Sequence, residues 1–85
     1  MKFTFPAVFS DIREEKGWVQ VLFPDLVPNV TEGESISDAI LMAKDFLLSV
    51  MPFNNNHQAK PSNIDDLMIE YPNSLVMNIT VEFDE

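Results

Sequence analysis

The sequence predicts a single α+β domain with the element order β-β-β-α-β. Three features carry that expectation. Residues 3–9 and 75–83 carry apolar side chains at every second position, the period of two that marks a strand. Residues 18–23 are a run of β-formers. From Ile36 the apolar period changes to that of a helix.

In the first stretch Phe3, Phe5, Ala7 and Phe9 share one face, and Thr4, Pro6 and Val8 share the other. Pro6 has no N–H to donate, so it belongs where a missing ladder bond is harmless. A polar loop follows from Asp11 to Gly17. Trp18-Val19-Gln20-Val21-Leu22-Phe23 then forms the second strand, and the short polar connection predicts an antiparallel hairpin. Pro24 and Asp25 interrupt it. A short third strand is expected from Asn29 to Glu32, ended by Gly33.

Ser35 is a good helix N-cap, with Asp38 at the third helical position as a weakened capping box. Ile36, Ala39, Ile40, Ala43, Phe46, Leu47 and Val50 form one broad apolar face, opposite Asp38, Asp45 and Ser49. Pro52 ends the helix near Met51. Phe53 to Pro61 reads as a polar loop, in which Asn54-Asn55-Asn56 is turn chemistry. Ser62 is expected to cap one short helical turn through Leu67. In the last strand Leu75, Met77, Ile79, Val81 and Phe83 alternate with Val76, Asn78, Thr80 and Glu82. One amphipathic helix must cover one face of the sheet. A right-handed crossover would lay the last strand parallel to the first and beside it. The result is a four-stranded mixed sheet of order 3-2-1-4, open on its other face.

A chain of 85 residues makes one domain, and roughly 60–65% of its surface can be buried. With 46% hydrophobic and 22% charged residues, it has a globular rather than a disordered composition. No apolar run approaches the roughly 18 residues of a membrane span. The absence of cysteine removes disulfides, thiolate zinc sites and a cysteine nucleophile. The N-terminus reads as a strand rather than a signal peptide, so a cytoplasmic protein is expected.

Fourteen acids against five bases give a net charge of −9. The bases (Lys2, Arg13, Lys16, Lys44 and Lys60) are scattered and form no patch. Nucleic-acid binding rests on Lys and Arg neutralising phosphates, so this chain alone should repel DNA and RNA. The charge serves solubility, and it would accelerate encounter with a basic partner.

Several spaced blocks resemble the HicB-type antitoxin family. They are Phe23-Pro24-Asp25-Leu26, then Thr31-Glu32-Gly33-Glu34-Ser35, then Asp38-Ala39. Upstream, a proline in the opening strand (Pro6) and an acidic loop closed by Gly17-Trp18 also match the family. So does the alternating final strand. The resemblance spans nearly the whole of residues 1–85. It implies a partial ribonuclease-H-like fold, and a role in binding and inhibiting a small basic toxin of the HicA type that cleaves mRNA. Two departures stand out. Val27-Pro28-Asn29 occupies the place where many members carry Pro-Gly-Cys. The C-terminal DNA-binding segment usual in the family is not expected within these residues.

The chemistry of catalysis is sparse. A ribonuclease-H-like nuclease needs carboxylates converging on two cations, and the first strand, by the resemblance, should supply an aspartate. Residues 3–9 contain no acid. Asp38 and Asp45 share the polar helix face, where solvated acids are the ordinary reading. His57, the one histidine, lies in the Asn-rich loop without an evident triad partner. Two glycines provide no phosphate-cradling loop. The expectation is a non-enzyme without cofactor or metal, whose aromatic residues serve packing. Phe23 is expected beneath the helix. Leu41 and Leu48 fall outside the core face of the helix, near Lys44 and Asp45, and are candidates for self-association or a partner surface. Thr4, Pro6, Val8 and Val76 would line the open sheet face and add to it. The exposed final strand offers a further route to a homodimer or higher oligomer. A free-standing, self-associating interaction domain is the alternative to the antitoxin.

Overall fold

The computed structural model describes residues 2–11, 18–53 and 55–83. Among them a four-stranded sheet of order β3-β2-β1-β4 is formed by β1 (Lys2–Asp11), β2 (Val19–Leu22), β3 (Val30–Gly33) and β4 (Leu75–Glu82). Two helices, α1 (Ile36–Val50) and α2 (Ile64–Glu70), pack on it, with a 3₁₀ turn at Asn56–Gln58. The strand order is the expected one. The direction of β4 is not: β1 pairs antiparallel with both β2 and β4, so the sheet is wholly antiparallel rather than mixed.

The reason lies in the path between β3 and β4. α1 starts beside the end of β3 and runs back, so that its last turn lies near Val27 in the β2–β3 loop. A single crossing would leave the chain there, ready for a parallel strand. Instead α2 carries it back over the opposite sheet face. β4 therefore enters with Leu75 opposite Phe9, at the far end of β1. The stretch expected to make one helical turn from Ser62 is this second crossing, capped by Asn63, whose Oδ1 accepts from the backbone N–H of Asp65 at 2.8 Å and of Asp66 at 3.3 Å.

The alternation in β1 sorts its side chains as expected, but both sets are covered. Phe5, Ala7 and Phe9 join Val19, Val21, Phe23, Ile79 and Val81 under Ala39, Ala43, Leu47 and Val50 of α1. On the other face Val8 and its cross-strand partner Val76 meet Leu67 of α2, flanked by Leu22, Ile64 and Tyr71. The sheet is thus not open on that face. Pro6, Val8 and Val76 are buried within the chain itself and offer no outer apolar surface. Thr4 does stay exposed, and its hydroxyl pairs with that of Thr80 across β1–β4 at 2.8 Å.

The entry to α1 is built from the second signature block. Ser35 Oγ accepts from the Asp38 backbone N–H at 3.1 Å, and Asp38 Oδ2 accepts from the Glu34 N–H at 2.8 Å. The reciprocal bond thus reaches one residue further out than in a standard capping box. Gly33 is buried against this turn. A Cβ there would lie 2.5 Å from Ala39 N and 2.6 Å from its Cα, so only glycine lets the helix approach the strand so closely. Because Ala39 sits on the last residue of β3, Ile36 lies one turn beyond the strand. It is exposed, not part of the core face as its period implied.

Candidate functional site

Phe23 to Leu26 forms a tight turn. The Leu26 N–H donates to the Phe23 carbonyl at 3.2 Å, with Pro24 second in the turn, where its fixed φ is favourable. The Phe23 N–H donates to the Asn29 carbonyl at 2.7 Å, closing the loop toward β3. Phe23 is fully buried and stacks parallel on Phe46 of α1, with ring centroids 5.9 Å apart. Leu26 is buried in the same core. The Val27–Pro28 peptide is cis, and both residues are exposed.

Two side chains tie this loop to distant chain. Asp25 accepts from Ser62 twice, from its backbone N–H at 2.8 Å and through a short bond from its hydroxyl. Asn56 does more. Its Oδ1 accepts from the Val27 N–H at 3.0 Å, and its Nδ2 donates to the Val27 carbonyl and the Val50 carbonyl, both at 2.7 Å. One amide thereby pairs with both backbone groups of Val27 and adds a second bond to a carbonyl of the last turn of α1, which has no partner within the helix and also accepts from the Phe53 N–H at 3.0 Å. Asn56 is buried, preceded by Asn55 at φ 60°. Within a run of three asparagines no sequence signal distinguishes this anchor from its neighbours. Asp25, by contrast, stood in a signature block, although nothing in the sequence pointed to Ser62.

The remaining sequence-selected residues divide between scaffold and surface. Gly17 lies outside the described residues. Trp18 is half-buried just before β2, and Thr31 is half-buried on β3 opposite Val21. Gly33 is the close-approach position under α1. Leu41, Lys44, Asp45 and Leu48 are all exposed on α1, Leu41 at 62% and Leu48 at 38%. The signature residues are therefore not brought to one cleft. Those around Phe23 and Gly33 hold the loop and the helix entry, whereas the α1 residues form a separate external stripe.

The titratable groups are dispersed. Asp38 is engaged in the helix cap, Asp45 is exposed one turn and more away, and His57 is exposed in the 3₁₀ turn. Among the described residues no three His, Asp or Glu side chains come together as a metal set. Glu34, Asp45, Asp65, Asp66, Glu70 and Glu82 are exposed acids. No helix among the described residues is long and apolar enough to cross a membrane. Comparison of the chain with family models, with curated proteins and with solved structures finds no match.

Proposed function

We propose that this chain is a non-catalytic HicB-like domain of partial ribonuclease-H-like fold that binds and occludes a small basic mRNA-cleaving toxin of the HicA type in the cytoplasm. The observation that carries the reading is the way the spaced signature blocks depend on one another in the fold. Phe23 stacks on the helix that begins beside Gly33, and Gly33 is the residue that lets Ala39 of the next block approach. Asp25 fixes the start of the second crossing through Ser62. Residues far apart in sequence thus have one common structural reason to recur together.

Charge supports the choice of partner. A chain of net charge −9, with Asp65, Asp66 and Glu70 exposed on α2, presents carboxylates where a ribonuclease expects phosphates. Inhibition then needs no chemistry: the domain covers the RNA-binding surface and competes with the substrate backbone, while the long-range field speeds encounter. The test is co-expression with the product of any adjacent small basic reading frame. A co-purifying complex, weakened by high salt, and rescue of growth are expected. No complex and no rescue reject the reading. The alternative of a free-standing self-associating domain draws on a different observation, the exposed leucines of α1.

A further inference from the structure

The outer edge of β4 is long, unpaired and flanked by acids, and we propose that it takes an antiparallel, basic β-strand from a partner protein. The strand would set apolar side chains toward the α1 face and lysine or arginine toward the α2 face. This site belongs to the toxin-binding reading, which it needs only for the identity of the protein that supplies the strand.

The register fixes which backbone groups of β4 point outward. The Phe23 N–H donates to the Asn29 carbonyl in step with the β2–β3 pairing, so odd-numbered residues of β2 bond toward β3 and even-numbered ones toward β1. Leu22 and Gln20 meet Val8 and Ser10, so β1 turns its even residues toward β2 and its odd residues toward β4. Pro6 therefore faces past the end of β2, where its missing N–H costs no ladder bond. Across β1–β4, Phe5 meets Ile79 and Ala7 meets Met77, which leaves the N–H and C=O groups of Val76, Asn78, Thr80 and Glu82 directed away from the sheet. They have no backbone partner among the described residues. Edges are ordinarily blunted by lysine, proline, a bulge or brevity. β4 has none of these: it pairs with β1 through all eight residues in unbroken register. The opposite edge, β3, is four residues long and lies against α1.

Charge selects the occupant. α2 lies over β4 rather than over the inner strands. With about 100° per residue, Ile64 and Tyr71 fall on one side of Leu67, and Asp66 and Glu70 on the other. Ile64 and Tyr71 are half-buried in the cluster that reaches inward to Leu22 of β2. Asp66 and Glu70, both exposed, thus overhang the outer edge, on the face that also carries Glu82. Side chains of an added strand on that face meet carboxylates, whereas those on the other face extend the row of Leu75, Met77 and Ile79. A second copy would bring its own acids to the seam, against a net charge of −9 on each chain.

Fluorescence anisotropy of a labelled peptide of alternating lysine and valine, as long as β4, tests this against the full chain at up to about 500 μM. Saturable binding is expected, weakened at least about tenfold between about 0.05 and 0.5 M salt. Methylating the backbone nitrogens of the lysines, which face β4, should abolish it, and methylating those of the valines, which face away, should leave affinity within about threefold. Asn78→Pro removes an outward donor and no bond to β1, so it should weaken binding at least about tenfold with a circular-dichroism melt near the parent's. Should that variant fail to fold, the methylated peptides decide alone. Asp66→Lys/Glu70→Lys should weaken binding about tenfold through charge. No saturable binding, a loss from methylated valines as large as from methylated lysines, or equal binding of a glutamate-valine peptide overturns the proposal. So does a parent dimer that Asn78→Pro dissociates, which makes a second copy the occupant. A toxin complex that survives Asn78→Pro sinks the edge alone; peptide binding without any co-purifying toxin sinks the toxin alone.

Discussion

On one face of the sheet, α1 lays four buried residues over a cluster that includes Phe5, Phe9, Phe23, Ile79 and Val81. On the other, α2 buries Leu67 alone, against Val8 and Val76. A helix of 15 residues with a broad apolar face docks because burial of that face drives it, at about 25 cal/mol per Å² of apolar surface. A helix of seven with one buried leucine gains far less, and is too short to be stable alone. Its position depends on directed polar bonds: Asn63 capping its start, Asp25 holding Ser62 just before it, and Asn56 fixing the loop from which it departs. The comparison separates two ways of placing a helix. One is broad and non-directional, the other narrow and dependent on particular side chains.

The sharpest way to break the first face is Phe23→Ala. The ring is fully buried and stacked on Phe46, so its removal takes away both apolar burial and an aromatic pair. A loss of about 4 kcal/mol is expected, read as a fall in the midpoint of denaturant unfolding with an unchanged slope. Parent-like stability would mean that the α1 face does not depend on this contact.

Next in size is the polar anchor. Asn56→Ala removes three bonds at once, to the Val27 N–H, the Val27 carbonyl and the Val50 carbonyl, of which the last keeps its bond from the Phe53 N–H at 3.0 Å. What is lost is chiefly the tie between the exposed loop at Val27 and the end of α1, three bonds made by one buried amide. A loss of about 2–3 kcal/mol is therefore expected. Asn56→Asp is informative beside it, since a carboxylate can still accept from the Val27 N–H but cannot donate to either carbonyl. It should be no better than alanine, by the same denaturation measurement.

The same contrast explains what could be read from the residues alone. α1 and the alternation of β1 and β4 follow from periodicity, because each is driven by many apolar side chains at once, and the cap at Ser35 from its residue type; the strand order came from a crossover argument whose parallel β4 the structure replaces with an antiparallel one. The exposure of Leu41 and Leu48 followed from the same wheel. α2 was legible only as a single turn. Its one buried residue leaves no period to detect, so the second crossing was missed, and with it the covered second face and the antiparallel entry of β4. Polar anchors are harder still. Asn56 works through its position in three dimensions, and Asn54 and Asn55 have the same side chain. Gly33 was visible as a signature residue, but its reason, a helix backbone where a Cβ would be, appears only with the fold.

The finest test compares the two helix caps directly. Ser35 and Asn63 do the same chemical work, each accepting backbone N–H groups that have no partner inside the helix. Either Ser35→Ala or Asn63→Ala should cost about 1 kcal/mol of global stability. Their local effects should differ. Without its cap α1 remains held by Ala39, Ala43, Leu47 and Val50, so amide exchange along it should rise only as global stability falls. α2 has little else to hold it once Asn63 is gone. Its amides, including the Tyr71 N–H that donates to the Leu67 carbonyl at 2.8 Å, should exchange through local opening, faster than the global loss accounts for. Hydrogen exchange resolved by residue reads both variants at once. If Asn63→Ala raised exchange in α1 and α2 equally, the two faces would open as one cooperative unit. The small cluster around Leu67 would then be as firmly coupled as the large one.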